Sequence, residues 1–288
     1  MIVNSLKQDH PDFPKILSEI PQPPKQLFWQ GTEPKAWLKL PKVAVVGSRK
    51  ASSYGFSTTD KLASELAEAG VVIISGLAFG IDAAAHKAAL KVGGHTVAVL
   101  PTALPKIYPA AHSGLARQIL DTGGTLLSEY AASDLPNAGN FVARNRIVSG
   151  LSDGLLITEA AINSGSLHTA RFALEQGKTV MAVPGNINSP SSVGANNLIK
   201  SGALPVTDVS DVFFALNIKP KAKNKVSRVF RGSPQEEAIL KLIRDGTSGQ
   251  EELAVAAGLD GPTVSSALTM LEIGGFIRPV GSGQWLST

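Results

Sequence analysis

Residues 141 to 186 read FVARNRIVSGLSDGLLITEAAINSGSLHTARFALEQGKTVMAVPGN. Two helical patterns, near 140–150 and 166–176, alternate in this stretch with two short apolar runs, Gly154–Thr158 and Thr179–Val183. Short apolar runs between helices are typical of buried parallel strands that are joined by right-handed crossovers. The stretch therefore predicts an α/β fold with a doubly wound, mostly parallel sheet.

The same alternation continues on both sides of this stretch. Helices are predicted over Phe56–Ala69 and near 80–92 and 113–122. The further predicted strands are Val43–Val46, Val71–Ser75, Thr96–Leu100, Thr125–Leu127 and a shorter one near Leu204–Val206. We assign residues 42–218 to one domain, whose ligands should bind where the carboxyl ends of strands meet the N-termini of helices.

The first 41 residues are dense in proline, which favours an extended, loop-like chain. We expect this lead-in, residues 1–41, to pack on the main body. The apolar side chains that should anchor it are Phe13, Ile16, Leu17, Ile20, Leu27, Phe28 and Trp29.

Charge divides the rest of the chain. Residues 219–233 carry a net charge of +6 with no acidic residue, which predicts a basic linker, whereas residues 234–288 carry −4. This last segment contains three helical patterns, at 235–245, 250–257 and 262–274, and then a short hairpin pattern. That order predicts a small C-terminal winged-helix domain.

Composition excludes several classes of protein. The chain has no cysteine, so it has neither disulfides nor thiolate metal sites, and its five histidines lack zinc-site spacing. No signal peptide is recognisable, and no apolar run approaches the ~20 residues that span a bilayer. We expect a cytoplasmic protein with no metal and no cofactor, and no membrane partner.

The first predicted strand opens into Gly47-Ser48-Arg49. Backbone N–H groups in such a turn ahead of a helix favour an anion, and the guanidinium of Arg49 suits a phosphate. The alternative is a tight turn with a solvated arginine. Because no G-x-G-x-x-G pattern follows, a dinucleotide cofactor is not expected.

A second anion cradle is predicted at Ser164-Gly165-Ser166, which opens the helix near 166–176. Small residues leave the N–H groups of a helix N-terminus accessible. The alternative is simple N-capping by Ser164 or Ser166, and both roles are compatible.

The helix near 140–150 carries Arg144, Asn145 and Arg146. Residues two apart point about 200° apart on a helix, so the two arginines cannot share a face. We expect one of them to bind a ligand and the other to brace an acid. Phe141 either stacks on a base or belongs to the core at the helix start.

Two pairs of residues are candidates for catalysis, and the sequence supports neither strongly. Asp82 and His86 share a helix face, but no nucleophile is evident nearby, so a structural hydrogen bond is the preferred interpretation. Glu129 and Glu159 lie near strand ends, and nothing beyond position pairs them as the two carboxylates of a glycosidase.

The predicted tail domain has a helix-turn-helix but few cations. The exposed positions of its third helix are Ser265, Ser266, Thr269 and Glu272, and duplex binding depends largely on cationic contacts with phosphates. We expect the acidic unit to be repelled by DNA and to serve protein–protein contact or regulation.

Eight blocks in a fixed order resemble the DNA-processing protein A (DprA, also called Smf) family over roughly residues 10 to 215. The tail resembles the small winged-helix domain of many members. The blocks are VAVVGSR-x5-G (43–55), SGLAFGIDAAAH (75–86), YP (108–109), SE (128–129), FVARNRIVSGLS (141–152), EAAINSGSLHTARFALEQGK (159–178), VPGN (183–186) and GANNLIKSGA (194–203).

This resemblance implies an extended Rossmann-like fold without a dinucleotide. It implies a homodimer that binds and protects single-stranded DNA and loads the RecA recombinase during natural transformation, and it implies that the chain is not an enzyme. Phe141 matches a base-contacting position. The positions matching contacts with DNA phosphates are Gly47, Ser48, Arg49, Ser52, Arg144, Asn145, Arg146, Ser164, Gly165 and Ser166.

Two departures from the family pattern bear on affinity. Residues 101–105 replace a glycine-rich turn, and Ala138-Gly139-Asn140 stand where many members place a basic residue. One phosphate contact is expected to be lost, and the basic linker is a candidate to compensate for it.

The rival class is an enzyme, a nucleotide phosphoribohydrolase with a related Rossmann-like sheet. Its glycine-rich P-G-G-x-G-T-x-x-E segment is absent, and EAAINSGSLHTA occupies the corresponding stretch. A third interpretation is a regulator that binds duplex DNA through the tail.

Overall fold

A computed structural model describes residues 2–104, 106–135, 137–219, 232–281 and 283–287. The chain divides into two compact units, Met1–Lys223 and Asn224–Thr288. Most of the predicted basic linker and part of the predicted turn at 101–105 lie outside the described residues.

The main unit is built on one mixed sheet. Within the described residues its strands are β1 (Asn4–Lys7), β2 (Gln26–Gly31), β3 (Lys42–Val46), β4 (Val72–Ser75), β5 (Thr96–Leu100), β6 (Thr125–Ser128), β7 (Gly154–Ile157), β8 (Thr179–Ala182) and β9 (Leu204–Pro205). Their order across the sheet is β1-β2-β6-β5-β4-β3-β7-β8-β9. The strands from β6 to β9 in this order are parallel to one another, whereas β2 pairs antiparallel with both β6 and the edge strand β1.

Helices connect the strands and cover both faces of the sheet. Their bounds are α1 (Lys15–Ser18), α2 (Pro34–Trp37), α3 (Ser53–Glu68), α4 (Ile81–Lys91), α5 (Ser113–Asp121), α6 (Ala138–Gly150), α7 (Ser166–Glu175), α8 (Val193–Lys200) and α9 (Val209–Ala215). Every residue of β3, β4 and β5 is buried, as expected for parallel strands that are covered on both faces. The predicted doubly wound α/β sheet is confirmed.

Alternate residues of β3 show how the two faces are used. Ala44 and Val46 pack with apolar side chains of α6 and α7, whereas Val43 and Val45 pack with those of α3 and α4. This alternation follows from the two-residue repeat of a strand. It places α6 and α7 together on one side of the central strand.

The order of the parallel strands reverses at β3. Strands β4, β5 and β6 extend to one side of it, and β7, β8 and β9 extend to the other. The loops that leave the carboxyl ends of β3 and β7 therefore diverge, which opens a crevice between them.

The N-terminal lead-in differs from the loop-like chain that its prolines indicate. Residues 26–31 contain no proline and form β2, which pairs antiparallel with β6 and extends the sheet by hydrogen bonding. Leu17 and Trp37 are buried in the same core as α6. Proline density misled the prediction here because most of the prolines lie in the connections, and Pro34 occupies the start of α2, where a helix tolerates proline.

In the part of the second unit that the structure describes there are three helices and a hairpin: α10 (Pro234–Arg244), α11 (Gln250–Ala257), α12 (Gly261–Ile273), β10 (Ile277–Gly281) and β11 (Gln284–Ser287). Ser233 caps α10 in a capping box with Glu236. Val264, Leu268 and Leu271 of α12 lie in its apolar core, as their helical spacing predicts. The predicted winged-helix arrangement is confirmed.

Among the described residues, no helix combines the length and the apolar character that crossing a membrane requires.

Candidate nucleic-acid interface

A groove of about 670 Å³ occupies the crevice where the strand order reverses. It is bounded by the loops after β3 and β7, by the middle of α6 and by the first turn of α7. The predicted site residues that line it are Gly47, Ser48, Arg49, Phe141, Arg144, Asn145, Ser164, Gly165 and Ser166.

The loop after β3 brings two exposed cations to the groove, Arg49 and Lys50. Its backbone is held in place from below. The N–H of Ser48 donates to the carbonyl of Glu159 (2.8 Å), and the N–H of Lys50 donates to the Ser48 hydroxyl (3.1 Å). These two N–H groups are therefore occupied by hydrogen bonds that hold the loop. What the loop offers to an anion is mainly the side chain of Arg49.

Glu159 fastens this loop to the opposite wall. Its buried carboxylate accepts the N–H of Ser52 (2.8 Å) and the hydroxyls of Ser52 (2.6 Å) and Ser191 (2.8 Å). The predicted phosphate contact Ser52 is consequently not among the residues that line the groove. It caps α3 instead and binds Glu159.

The loop after β7 places the N-terminus of α7 at the groove. Gly165 is the N-cap residue, and a Cβ built on it would meet open space. The hydroxyls of Ser164 and Ser166 lie 2.7 Å apart in a mutual hydrogen bond. A helix N-terminus with little side-chain cover is a favourable place for an anion.

Arg144 lies beneath the groove, with only 3 % of its surface exposed. Its Nη1 donates to the carbonyl of Gly76 (2.5 Å) and to that of Val99, and its Nε donates to Asn145 Oδ1 (3.1 Å). Burial lowers the pKa of Arg144 to about 10, so the guanidinium stays charged at neutral pH. Arg144 thus supplies positive potential from below and fixes the backbone at Gly76.

Asp82 completes this buried cluster. Its carboxylate accepts the N–H groups of Gly76 (3.1 Å) and Ala78 (3.3 Å). Burial raises the pKa of Asp82, whereas the nearby charge of Arg144 acts in the opposite direction. The loop after β4 is therefore held by an acid on one side and by an arginine on the other.

Arg146 points away from the groove. Its two terminal nitrogens bind the carboxylate of Glu129 at 3.0 and 2.6 Å, and both side chains are largely buried. This bidentate pair confirms that the two arginines of α6 diverge and that one of them braces an acid. Glu129 is thereby committed to Arg146 and Glu159 to the serines, so the two glutamates do not form a pair.

Phe141 lies between the groove and a smaller cavity of about 50 Å³. The guanidinium of Arg49 sits 5.9 Å from the centroid of its ring, and Tyr108 meets it edge-on with centroids 4.8 Å apart. Phe79 and Tyr108 line the smaller cavity, and sequence reasoning missed both. The family blocks contain them, but nothing in their spacing shows that they meet Phe141.

Three further residues of the groove lining were also missed: Lys50, Asn163 and His168, all of them exposed. Each is adjacent to a predicted cradle or lies in the first turn of α7. Their proximity to Gly47-Ser48-Arg49 and Ser164-Gly165-Ser166 was the available signal.

His86 does not pair with Asp82. Its Nδ1 lies 2.7 Å from the hydroxyl of Thr96, which itself donates to the carbonyl of Ile73. Because that hydroxyl has a single proton, His86 Nδ1 must be the donor in the first contact. The structural role preferred for this histidine is confirmed, but its hydrogen-bond partner is Thr96 and not Asp82. Among the described residues no cluster of histidine and acidic side chains is suited to a metal ion.

Comparison with known proteins shows the relationship of both units. A family model described as DNA recombination-mediator protein A matches residues 4–217, and one described as the DprA winged helix domain matches residues 225–283. Protein Smf of Escherichia coli is 43% identical over 252 residues, which is 84% of this chain and 67% of that protein.

Two solved structures share the fold. DNA processing protein A from Streptococcus pneumoniae is 44% identical, with a TM-score of 0.68 and 73% of each chain covered. DNA processing protein A from Helicobacter pylori is 33% identical, with a TM-score of 0.67, 76% of this chain covered and 97% of that one. The latter structure gives insight into the single-stranded DNA binding mode of the Helicobacter protein.

The buried imidazole of His86 makes the stability of the main unit sensitive to acid. Burial, together with the charges of His112 and Arg144, lowers the pKa of His86 to about 3. In the unfolded chain a histidine has a pKa of about 6.5, so between these values the unfolded state binds more protons. The stability that neutral His86 contributes is therefore present above pH about 6.5 and is lost as the pH falls toward 3.

We predict that urea unfolding of the wild-type chain loses up to about 1.4 kcal/mol per pH unit from this group. His86→Gln keeps an N–H donor for Thr96 and should flatten the loss. His10→Gln, at an exposed site, is the matched control and should leave the slope unchanged. Identical slopes for the wild type and His86→Gln would contradict the assignment.

Proposed function

The chain belongs to the DNA recombination-mediator protein A family, and we propose that it binds single-stranded DNA without sequence preference in the groove at the strand-order reversal. One observation carries the proposal: exposed cations, a helix N-terminus and aromatic rings line contiguous cavities at this edge of the sheet. Such a surface suits a strand that offers both phosphates and unpaired bases.

The phosphates would lie along the wall that holds Arg49, Lys50 and the N-terminus of α7. Arg49 and Lys50 are exposed and can displace counterions from the strand, which makes binding dependent on salt. Arg144 would add to the positive potential without leaving its carbonyl partners. Ser52 and Arg146 stand behind this wall and would support it through Glu159 and Glu129.

The bases would lie toward Phe141 and its aromatic neighbours. An aromatic ring accepts any of the four bases by stacking, so this contact does not select a sequence. Duplex DNA keeps its bases stacked within the helix and would forgo the contact. This half of the interface favours single strands over duplexes.

The winged-helix unit gives little support to the third interpretation, a regulator that binds duplex DNA. Its helix α12 contains neither lysine nor arginine, and it exposes Met270 and Ile273. Duplex binding would require cationic contacts that this helix lacks. We propose that the unit contacts protein rather than DNA.

We also propose that the chain is not an enzyme of the phosphoribohydrolase class. Of the two carboxylates described next to the groove, Glu159 is held through both oxygens by Ser52 and Ser191, and Asp82 is buried and accepts two backbone N–H groups at Oδ2. A general acid or base needs a free oxygen within reach of the bond that it acts on.

The finer part of the proposal follows from family membership. We propose that the chain is a cytoplasmic homodimer, protects incoming single strands and loads RecA on them in natural transformation or related DNA processing. The exposed apolar side chains Phe214 and Leu204 of the main unit are of the kind that contact with another subunit would bury.

Arg49→Ala should weaken binding to all single strands alike. Loss of one phosphate contact should lower affinity about tenfold and reduce the slope of log affinity against log salt by about 0.7 to 1. Fluorescence anisotropy with labelled oligonucleotides of different sequence, titrated across salt, measures both quantities.

Arg117→Ala is the control for this experiment, because Arg117 is an exposed arginine on α5 that does not line the groove. It should change neither the affinity nor the slope. An equal loss in both variants, or a loss in Arg49→Ala that depends on base sequence, would contradict the phosphate role.

Truncation separates the two DNA-binding hypotheses. A chain ending at residue 218 should keep most of its affinity for oligothymidine, because the groove lies wholly within the main unit. A second truncation at residue 233 retains the basic segment and isolates its contribution. Loss of single-strand binding in both truncations would place the site in the tail instead.

Two measurements test the proposed homodimer and the proposed loading of RecA. Light scattering should give twice the mass of one chain. The wild-type protein should also accelerate RecA assembly on single strands coated with a single-strand-binding protein. Arg49→Ala should form the same dimer but accelerate assembly less, because it holds the strand more weakly. A monomeric mass, or acceleration that is unaffected by Arg49→Ala, would contradict the respective proposal.

A further inference from the structure

We propose that Phe79 and Tyr108 form a stacking platform that binds an unpaired nucleobase beside the phosphate-binding wall. The inference rests on the proposed binding of single-stranded DNA and adds two residues that contact the bases. It is carried by the position, the exposure and the packing of these two rings.

The position of this platform makes it reachable from the groove. Phe79 and Tyr108 line the cavity of about 50 Å³, together with Pro101 and Pro109. The two cavities are contiguous. The residues that line both of them are Arg49, Gly76, Ala78, Phe141 and Arg144. A strand whose phosphate contacts Arg49 would therefore carry its base toward these rings.

Both rings are about half exposed, Phe79 at 48 % and Tyr108 at 51 %. Large aromatic side chains ordinarily bury most of their surface in a core or an interface. Two half-exposed rings around one cavity, next to a cationic wall, leave apolar surface that a stacked base would cover.

The rings are also held in place. Phe79 meets His112 edge-on, with centroids 4.7 Å apart, and Nδ1 of His112 donates to the carbonyl of Leu77 (2.8 Å). Tyr108 meets Phe141 edge-on. Because these contacts fix the rings before a ligand arrives, stacking costs little conformational entropy.

Phe141 has less free surface to offer than its neighbours. The guanidinium of Arg49 lies over its ring and Tyr108 meets it edge-on, so the ring is half-buried. Phe141 faces the bases and also contacts Tyr108 and Arg49, and the larger open ring surfaces belong to Phe79 and Tyr108.

The size of the cavity limits the kind of contact. A cavity of about 50 Å³ has room for only a few water molecules, so it does not enclose a base. The base must lie against the rings at the rim, with its hydrogen-bonding edge in water. The stacking platform therefore recognises the presence of a base and not its identity.

The test compares an oligothymidine with an abasic oligomer of equal length and charge. The wild-type chain should prefer the oligothymidine about five- to a hundredfold, the range expected for base–aromatic stacking. Phe79→Leu and Tyr108→Leu keep an apolar side chain without a ring. Each should lower affinity for oligothymidine at least about fivefold and leave affinity for the abasic oligomer unchanged.

Phe79→Tyr and Tyr108→Phe retain a ring and should retain the preference. Phe56→Leu, at an exposed aromatic that lines neither cavity, is the matched control and should behave as wild type. Unchanged binding of the abasic oligomer also shows that the leucine variants are folded.

Each other outcome is decisive. The stacking platform would be overturned if the leucine variants kept the full preference for oligothymidine, or if they lost affinity for both oligomers equally. Either result would leave the proposed single-strand binding intact. A wild-type chain that binds neither oligomer would overturn the proposed function itself.

Discussion

The reversal of strand order between β3 and β7 is the constraint on which the rest of the site depends. Two adjacent parallel strands send their connections in opposite directions, which leaves a crevice at their carboxyl ends. Hydrogen bonds from the N–H of Ser48 to the carbonyl of Glu159, and from Ser52 to the Glu159 carboxylate, join the two diverging loops across the gap. The groove, its cations and its helix N-terminus follow from this arrangement.

Buried charge gives the groove its shape. Arg144, Asp82 and Glu159 are all buried, and each is compensated by backbone or hydroxyl groups of the loops that line the groove. A buried charge without partners would be costly, so moving any one of these loops breaks bonds that a buried ion requires. The loops are consequently held rigid by groups that face inward, and the exposed Arg49 and Lys50 are left free to meet a ligand.

The predictable features were those governed by local periodicity. The apolar runs located the parallel strands, and the 100° step of a helix showed that Arg144 and Arg146 face apart. Strand β2, second from the edge of the sheet, was missed because its surroundings are rich in proline, and its pairing with β6 depends on a distant part of the chain. Phe79 and Tyr108 follow different strands and meet Phe141 of α6, so no spacing along the chain links them. Ser52 matched a family position, but its hydroxyl is turned toward Glu159, a contact that only tertiary packing determines.

The edge pairing of β2 also orders events as the chain is made. A ribosome releases the N-terminal residues first, yet the main-body partner of β2 is β6, with Phe28 opposite Ser128. Until β6 has emerged, β2 can pair only with β1, in a two-strand ribbon that is marginal by itself in water. Contacts of such high sequence separation close late and slow the folding of the whole sheet. The segment synthesised first is thus locked into the main sheet only once β6 has been made.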